Sequence, residues 1–221
     1  MAEFSIYDVL GPIMIGPSSS HTAGACRIAK IALRICGEDF KSVEFVLHGS
    51  FAATYKGHGT DKALLGGIQG FDTCDDRIRD SFKYAEKNGI NYIFKTADLG
   101  REYHPNTVKI IFRYDDRDEY VIGSSIGGGV VEIVNINGIA LRFRGEFPVI
   151  LLQYPEQKGV IAYVSSVLSA SNYNIESINT NKDTLKNIVT LTVEIDKNLT
   201  ENLKSAIIDS DRFIFSKYVG V

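Results

Sequence analysis

The sequence is poor in cysteine, in charge of one sign and in long apolar runs, and each shortage removes a class of protein. Cys26, Cys36 and Cys74 are an odd number of thiols at wide spacing, which fits neither a disulfide framework nor a zinc site. Cys26 and Cys36 fall within an amphipathic pattern and read as small buried hydrophobes. Cys74 lies among Asp72, Asp75 and Asp76 and reads as an exposed thiol whose pKa the carboxylates raise, not as a nucleophile. Lys and Arg number 24 against 27 Asp and Glu, and the net charge of −3 gives no general pull toward nucleic acid or an anionic membrane. The basic residues are scattered, with no aromatic–basic stripe. No apolar run approaches the roughly 18 residues that span a bilayer. Met1-Ala2-Glu3 lacks the basic start and apolar stretch of an export signal, so a cytoplasmic location is expected. With 221 residues, 44% of them hydrophobic, the chain can bury one large core or two ordinary ones.

Periodicity then divides the chain. Ala23–Ile35 places Ile28, Ala32 and Ile35 on one helical face, and Val43–Leu47 reads as a buried strand. Ala23, Gly24 and Ala25 give that helix a narrow first turn, open to close approach by a backbone or ligand. Further helices are expected over Ser50–Tyr55, from Thr60 to just before Gly66-Gly67, and over Asp76–Lys87, stopped at Asn88-Gly89. Asn91–Thr96, Thr107–Arg113, Glu119–Ser125, Val130–Ile136 and Ile139–Phe143 read as strands, with hairpin turns at Asp115-Asp116 and Asn137-Gly138. Composition shifts at Arg144-Gly145-Glu146. Beyond it come strand Phe147–Gln153, helix Gly159–Ser171, strands Ile175–Asn181 and Asn187–Ile195, helix Thr200–Ser210 and strand Arg212–Val219. That βαββαβ order is the ferredoxin-like arrangement. An α+β protein with domains at 1–145 and 147–221 is expected.

The densest chemistry is Gly16-Pro17-Ser18-Ser19-Ser20-His21-Thr22, placed where the first helix begins. A helix start leaves backbone N–H groups unpaired and carries partial positive charge, which suits an anion. One cap needs one hydroxyl, and this segment supplies four. His21, His48 in Leu-His-Gly-Ser and His58 in Gly57-His58-Gly59-Thr60-Asp61 all border strand ends or helix starts, where ligands collect. His58 is the sharpest candidate base: the flanking glycines leave the ring accessible, and Asp61 can cap the helix or orient the ring. No histidine pair has metal-ligand spacing, and no cysteine accompanies one. His104 falls on a loop. Gly127-Gly128-Gly129 lacks the Lys-Ser/Thr of a phosphate loop and reads equally as a bend or as a place of close approach.

Gly-Pro-Ser-Ser-Ser-His-Thr, Leu-His-Gly-Ser-Phe-Ala, Gly-His-Gly-Thr-Asp, His-Pro-Asn and Ser-x-Gly-Gly-Gly, in that order, resemble the β chain of bacterial iron–sulfur-dependent L-serine dehydratases. The first domain is similar to the allosteric-substrate-binding domain, and the βαββαβ segment resembles the ACT domain that closes such chains. The resemblance implies a two-chain lyase that turns L-serine into pyruvate and ammonia. It implies a 4Fe–4S cluster held by a separate, cysteine-rich α chain, acting there as a Lewis acid on the substrate hydroxyl. Three scattered cysteines agree with that division, since clusters want grouped thiolates.

On the same resemblance, Ser18, Ser19, Ser20 and Thr22 are expected to hold the substrate carboxylate, with His48 and Asn106 lining the site. His58 is the expected α-proton base with Asp61 as its partner, and His21 is the alternative base. Gly159, Asn174 and Ile175 are where an effector would bind the ACT-like domain. Tyr154-Pro155-Glu156-Gln157-Lys158-Gly159 departs from the usual Asp-x-Pro-Gly, so pairing between two copies of the chain is the more conservative role. The competing function is a non-catalytic regulatory module that binds an anionic or amino-acid effector.

Overall fold

A computed structural model defines residues 13–209 and 211–220; the N-terminal Met1-Ala2-Glu3 and Ser210, the expected end of the last helix, lie outside them. Contacts divide the chain into two compact units, one through Asn137 and one from Gly138 onward.

In the first unit, Ser18 is extended (φ −143°, ψ 125°) and its hydroxyl accepts from the His21 N–H, so winding begins at Ser19. Ser19–Gly24 forms a π-helix and runs directly into helix α1, Ala25–Cys36. The expected helix from Ala23 is thereby met in its body and corrected at its start. Ile28, Ile31, Ala32 and Ile35 are all buried, as their spacing requires, and Gly37 (φ 92°) follows as the cap. Cys26 and Cys36 are buried and Cys74 exposed.

Five strands of this unit, β1 (Ser42–Leu47), β2 (Asn91–Thr96), β3 (Thr107–Arg113), β4 (Asp118–Gly127) and β5 (Val130–Ile136), stand in the order β2-β1-β3-β4-β5. β1 is parallel to β2 and antiparallel to β3, and the remaining pairs are antiparallel. α1 packs on β3, β4 and β5. It comes so close at Gly123 that a Cβ there would lie 2.6 Å from Ile28 Cγ2.

Helix α2 spans Gly49–Thr54, α3 spans Thr60–Gly67, and α4 spans Ser81–Lys87. Two expectations are corrected here. α3 does not stop before Gly66-Gly67; it runs through them because α1 lies against it there. Asp76–Lys87 is not one helix: Asp76–Asp80 is a 3₁₀ turn, and the buried Ser81 hydroxyl donates to Ile78 O at 2.7 Å where α4 begins.

The second unit opens with β6 (Ile139–Phe143), and Asn137 (φ 50°) with Gly138 (φ 87°) supplies the two left-handed residues of the expected turn. Contacts of β6 with two later strands, Ile175–Asp183 and Ile188–Ile195, group it with this unit, so the contact division precedes the composition shift at 144–146. Then follow β7 (Val149–Pro155), α5 (Val160–Ala170), β8 (Ile175–Asp183), β9 (Ile188–Ile195), α6 (Glu201–Ile208) and β10 (Phe215–Val219). Their sheet order is β10-β7-β9-β8 with antiparallel neighbours, a ferredoxin-like order. The first and last strands begin later than the sequence suggests, at Val149 and Phe215. Helices together with two separate sheets make the protein α+β.

Alternation on β7 and β9 sends Ile150, Leu152, Leu191 and Val193 into one core with Val164, Leu168 and Ile207. Leu152 is fully buried, so Leu152→Ala should cost about 2–5 kcal/mol through lost burial and the cavity left behind. Denaturant unfolding of the purified chain measures it, and a loss below about 1 kcal/mol would contradict this packing.

Candidate active site

The π-helix turns His21 into the first unit, where its half-buried ring is held on every side. Its Nε2 lies 3.0 Å from Ser50 Oγ and its Nδ1 lies 3.5 Å from Ser18 Oγ. Phe51 packs against the ring in a T-shaped arrangement at 5.3 Å between centroids, and the His58 ring lies 4.9 Å away, tilted by 34°. Thr22 closes the arrangement by donating its hydroxyl to His58 O at 3.0 Å. Gly24, at the end of the π-helix, is pressed on Ser125, whose buried hydroxyl has no hydrogen-bond partner among the described residues.

His58 is oriented by main chain. Its Nδ1 lies 3.3 Å from Thr54 O, which also accepts the His58 N–H at 3.1 Å. A carbonyl oxygen can only accept, so Nδ1 carries the proton and Nε2 carries the lone pair of the neutral ring. The expected partner, Asp61, does something else: its Oδ1 accepts from Lys62 N at 2.8 Å, at the start of α3. Burial raises the Asp61 pKa, against the Lys62 N–H and the nearby lysines.

Two imidazoles this close cannot both take a proton cheaply. Burial first, and then His58, lower the pKa of His21 from its ordinary value of 6.5. Above that value His21 is neutral whether the chain is folded or unfolded. Below it, the unfolded chain binds a proton that the folded chain refuses, so stability at this residue rises with pH across the window. An NMR titration should find His21 protonating below pH 6.5; a midpoint at or above that value would contradict the geometry.

The other expected site residues are distributed. Ser19 and Ser20, in the π-helix beside His21, are half-buried, and their hydroxyls have no partner among the described residues. Asn106 lies in the loop whose Pro105 O receives the Ser50 N–H at 2.8 Å, and its own carbonyl accepts from Ser125 N at 2.9 Å. His48 is not brought to the two histidines by any contact. Its Nδ1 accepts from Leu99 N at 3.1 Å, and it lines a separate recess of about 640 Å³ with Thr96, Asp98 and Arg101. In the second unit Gly159 (φ 88°) lines a recess of about 380 Å³ with Tyr154, Glu156 and Lys182. Asn174 and Ile175 do not line it; Asn174 N donates to Asp196 Oδ1 at 3.0 Å. Ser50 and the Thr54 carbonyl join the site without being singled out by the sequence. Ser50 stood inside the Leu-His-Gly-Ser motif, whereas a main-chain acceptor leaves no mark in sequence.

The described residues do not fit an iron–sulfur cluster. Among them no group of three or more His, Cys, Asp or Glu side chains can hold a metal ion. Cys26 is a protonated thiol, since burial pushes it up to about 12 and its Sγ–H donates to Phe71 O at 3.4 Å. No described helix is long and apolar enough to cross a membrane.

Among the described residues of this α+β chain, two imidazoles thus stand together beside hydroxyls that have no partner. The chain belongs to the serine dehydratase β-chain family, whose model matches residues 5–94. It is 64% identical over 222 residues to the L-serine dehydratase beta chain of Peptoniphilus asaccharolyticus, covering 100% of both chains. It is 40% identical over 199 residues to the probable L-serine dehydratase beta chain of Bacillus subtilis, covering 90% of each. The L-serine dehydratase of Streptomyces coelicolor is 42% identical over 152 residues, which is 58% of this chain and 33% of that longer one.

Proposed function

We propose that this chain is the β subunit of a two-chain L-serine dehydratase, with His58 as the base that removes the substrate α-proton. The full-length identity to a chain of that name supports the subunit assignment. The observation that carries the base assignment is the bond from His58 Nδ1 to Thr54 O, which leaves Nε2 as the proton acceptor. The Ser19 and Ser20 hydroxyls, with the first N–H groups of the helical segment, take the carboxylate. Ser18 and Thr22 are occupied in holding His21 and the His58 loop, and shape the site from behind.

In this scheme Nε2 takes the proton from Cα. The electron pair becomes the Cα–Cβ double bond as the Cβ–O bond breaks, and the hydroxyl leaves as water after gaining one proton. The enamine then hydrolyses to pyruvate and ammonia. The family implies an iron–sulfur cofactor, and a 4Fe–4S cluster is assigned to the cysteine-rich α chain, because the thiols of this chain do not suit it. Residues 147–221 are taken as an ACT-like domain that pairs two copies of the chain, and the enzyme as cytoplasmic.

Co-expression with an α chain under anaerobic conditions tests the proposal. Pyruvate should form from L-serine only when both chains are present. A stable complex that makes no pyruvate would overturn it and favour a regulatory module.

A further inference from the structure

One short helix holds both imidazoles. At its start, Ser50 Oγ meets His21 Nε2 at 3.0 Å; at its end, Thr54 O receives the His58 Nδ1–H at 3.3 Å. We propose that Ser50 is a positioning residue for the dehydratase reaction, keeping His21 in its Nε2–H tautomer and seated against His58. The proposal rests on the reading of His58 as the base.

Each hydrogen bond of the His21 ring has an assigned direction in this proposal. Ser18 Oγ already accepts the His21 backbone N–H at 3.1 Å, so its own proton is free to point at His21 Nδ1. In the proposed arrangement Nδ1 accepts, and Nε2 carries the hydrogen and donates to Ser50 Oγ, 3.0 Å away. Both ring nitrogens of His21 are thus engaged, whereas His58 keeps the Nε2 lone pair. The pair is sorted into one held ring and one base.

Ser50 is itself fixed from three directions. Its N–H donates to Pro105 O at 2.8 Å, and its carbonyl accepts the Thr54 hydroxyl at 2.8 Å. Gly49, just before it, has φ +54°, and a Cβ there would lie 2.7 Å from Pro105 O. Glycine at 49 therefore lets the His104-Pro105-Asn106 loop seat against the helix and set the serine. Without the hydroxyl, His21 loses its Nε2 acceptor, both tautomers become accessible, and the ring packed on His58 loosens.

The test uses the assembled two-chain enzyme with Ser50→Ala, Ser50→Thr and, in parallel, His58→Asn. Ser50→Ala should lower kcat about tenfold, the scale of one net hydrogen bond, with KM changed less than twofold. Ser50→Thr, which keeps the hydroxyl, should recover most of the loss. The chain has only 4 histidines, so ¹⁵N-histidine labelling of this subunit in the complex resolves the tautomer. Nε2–H should dominate at His21 in the wild type and give way to a mixture in Ser50→Ala. A wild-type kcat in Ser50→Ala, a Ser50→Thr as slow as Ser50→Ala, or an unchanged tautomer would each overturn the role of Ser50. If His58→Asn is fully active, the base assignment fails instead, and the two failures are told apart.

Discussion

Replacing His58 with asparagine in the assembled enzyme should lower kcat by about 10²- to 10⁴-fold, the usual contribution of a general base. Asparagine can keep an N–H donor near Thr54 O but has no ring nitrogen to take a proton, so the chain should still fold and pair with its partner. KM should move far less than kcat, because the carboxylate contacts assigned to Ser19 and Ser20 are untouched. His21→Asn should be milder, since both nitrogens of that ring are already spent on Ser50 and Ser18. Steady-state pyruvate formation over a range of L-serine concentrations measures both variants. A His21→Asn enzyme slower than His58→Asn would reverse the roles of the two histidines.

The second large effect concerns how the site is carried. α1 continues from the π-helix that bears His21, and α3 begins two residues after His58, so the contact between these helices sets the spacing of the two rings. At Gly67 a Cβ would fall 2.4 Å from Cys26 O and 2.7 Å from Ala29 Cβ. The first of these is backbone and cannot swing away. Gly67→Ala should therefore cost about 1–3 kcal/mol or more by overpacking. For a chain of this size that lowers Tm by roughly 2–4 °C per kcal/mol. Gly57→Ala is the control: its nearest neighbour would be Thr54 O at 3.7 Å, an ordinary contact, and its Tm should match the wild type. Differential scanning calorimetry separates the two, and equal Tm values would contradict the close approach of α1 and α3.

Much of this architecture was legible because it is local. Ile28, Ala32 and Ile35 repeat at helical spacing and are buried; Val149-Ile150-Leu151-Leu152 is a short continuous apolar run, buried throughout, of the kind that reads as a core strand. What failed depended on residues far away in sequence. Gly66-Gly67 reads as a helix stop until Cys26 and Ala29 are known to lie against it. The Ser19–Gly24 π-winding has no period of its own to announce it. At the site, the histidines were visible in their glycine- and serine-rich motifs, but their partners were not. In sequence Asp61, a carboxylate three residues on, is the obvious acceptor for His58, whereas the acceptor is the Thr54 carbonyl, a group every residue possesses. Ser50 reads only as part of a helix, because its contact with His21 spans 29 residues.

In the proposed enzyme this chain brings the base and its partner brings the iron. Anaerobic reconstitution of each purified chain with iron and sulfide, followed by iron analysis and a serine-to-pyruvate assay on each chain and on the mixture, tests it most directly. This chain alone should retain no stoichiometric iron and make no pyruvate, and adding it to the iron-loaded α chain should switch activity on. Four irons bound to this chain alone, or pyruvate formed by the α chain without it, would contradict the account.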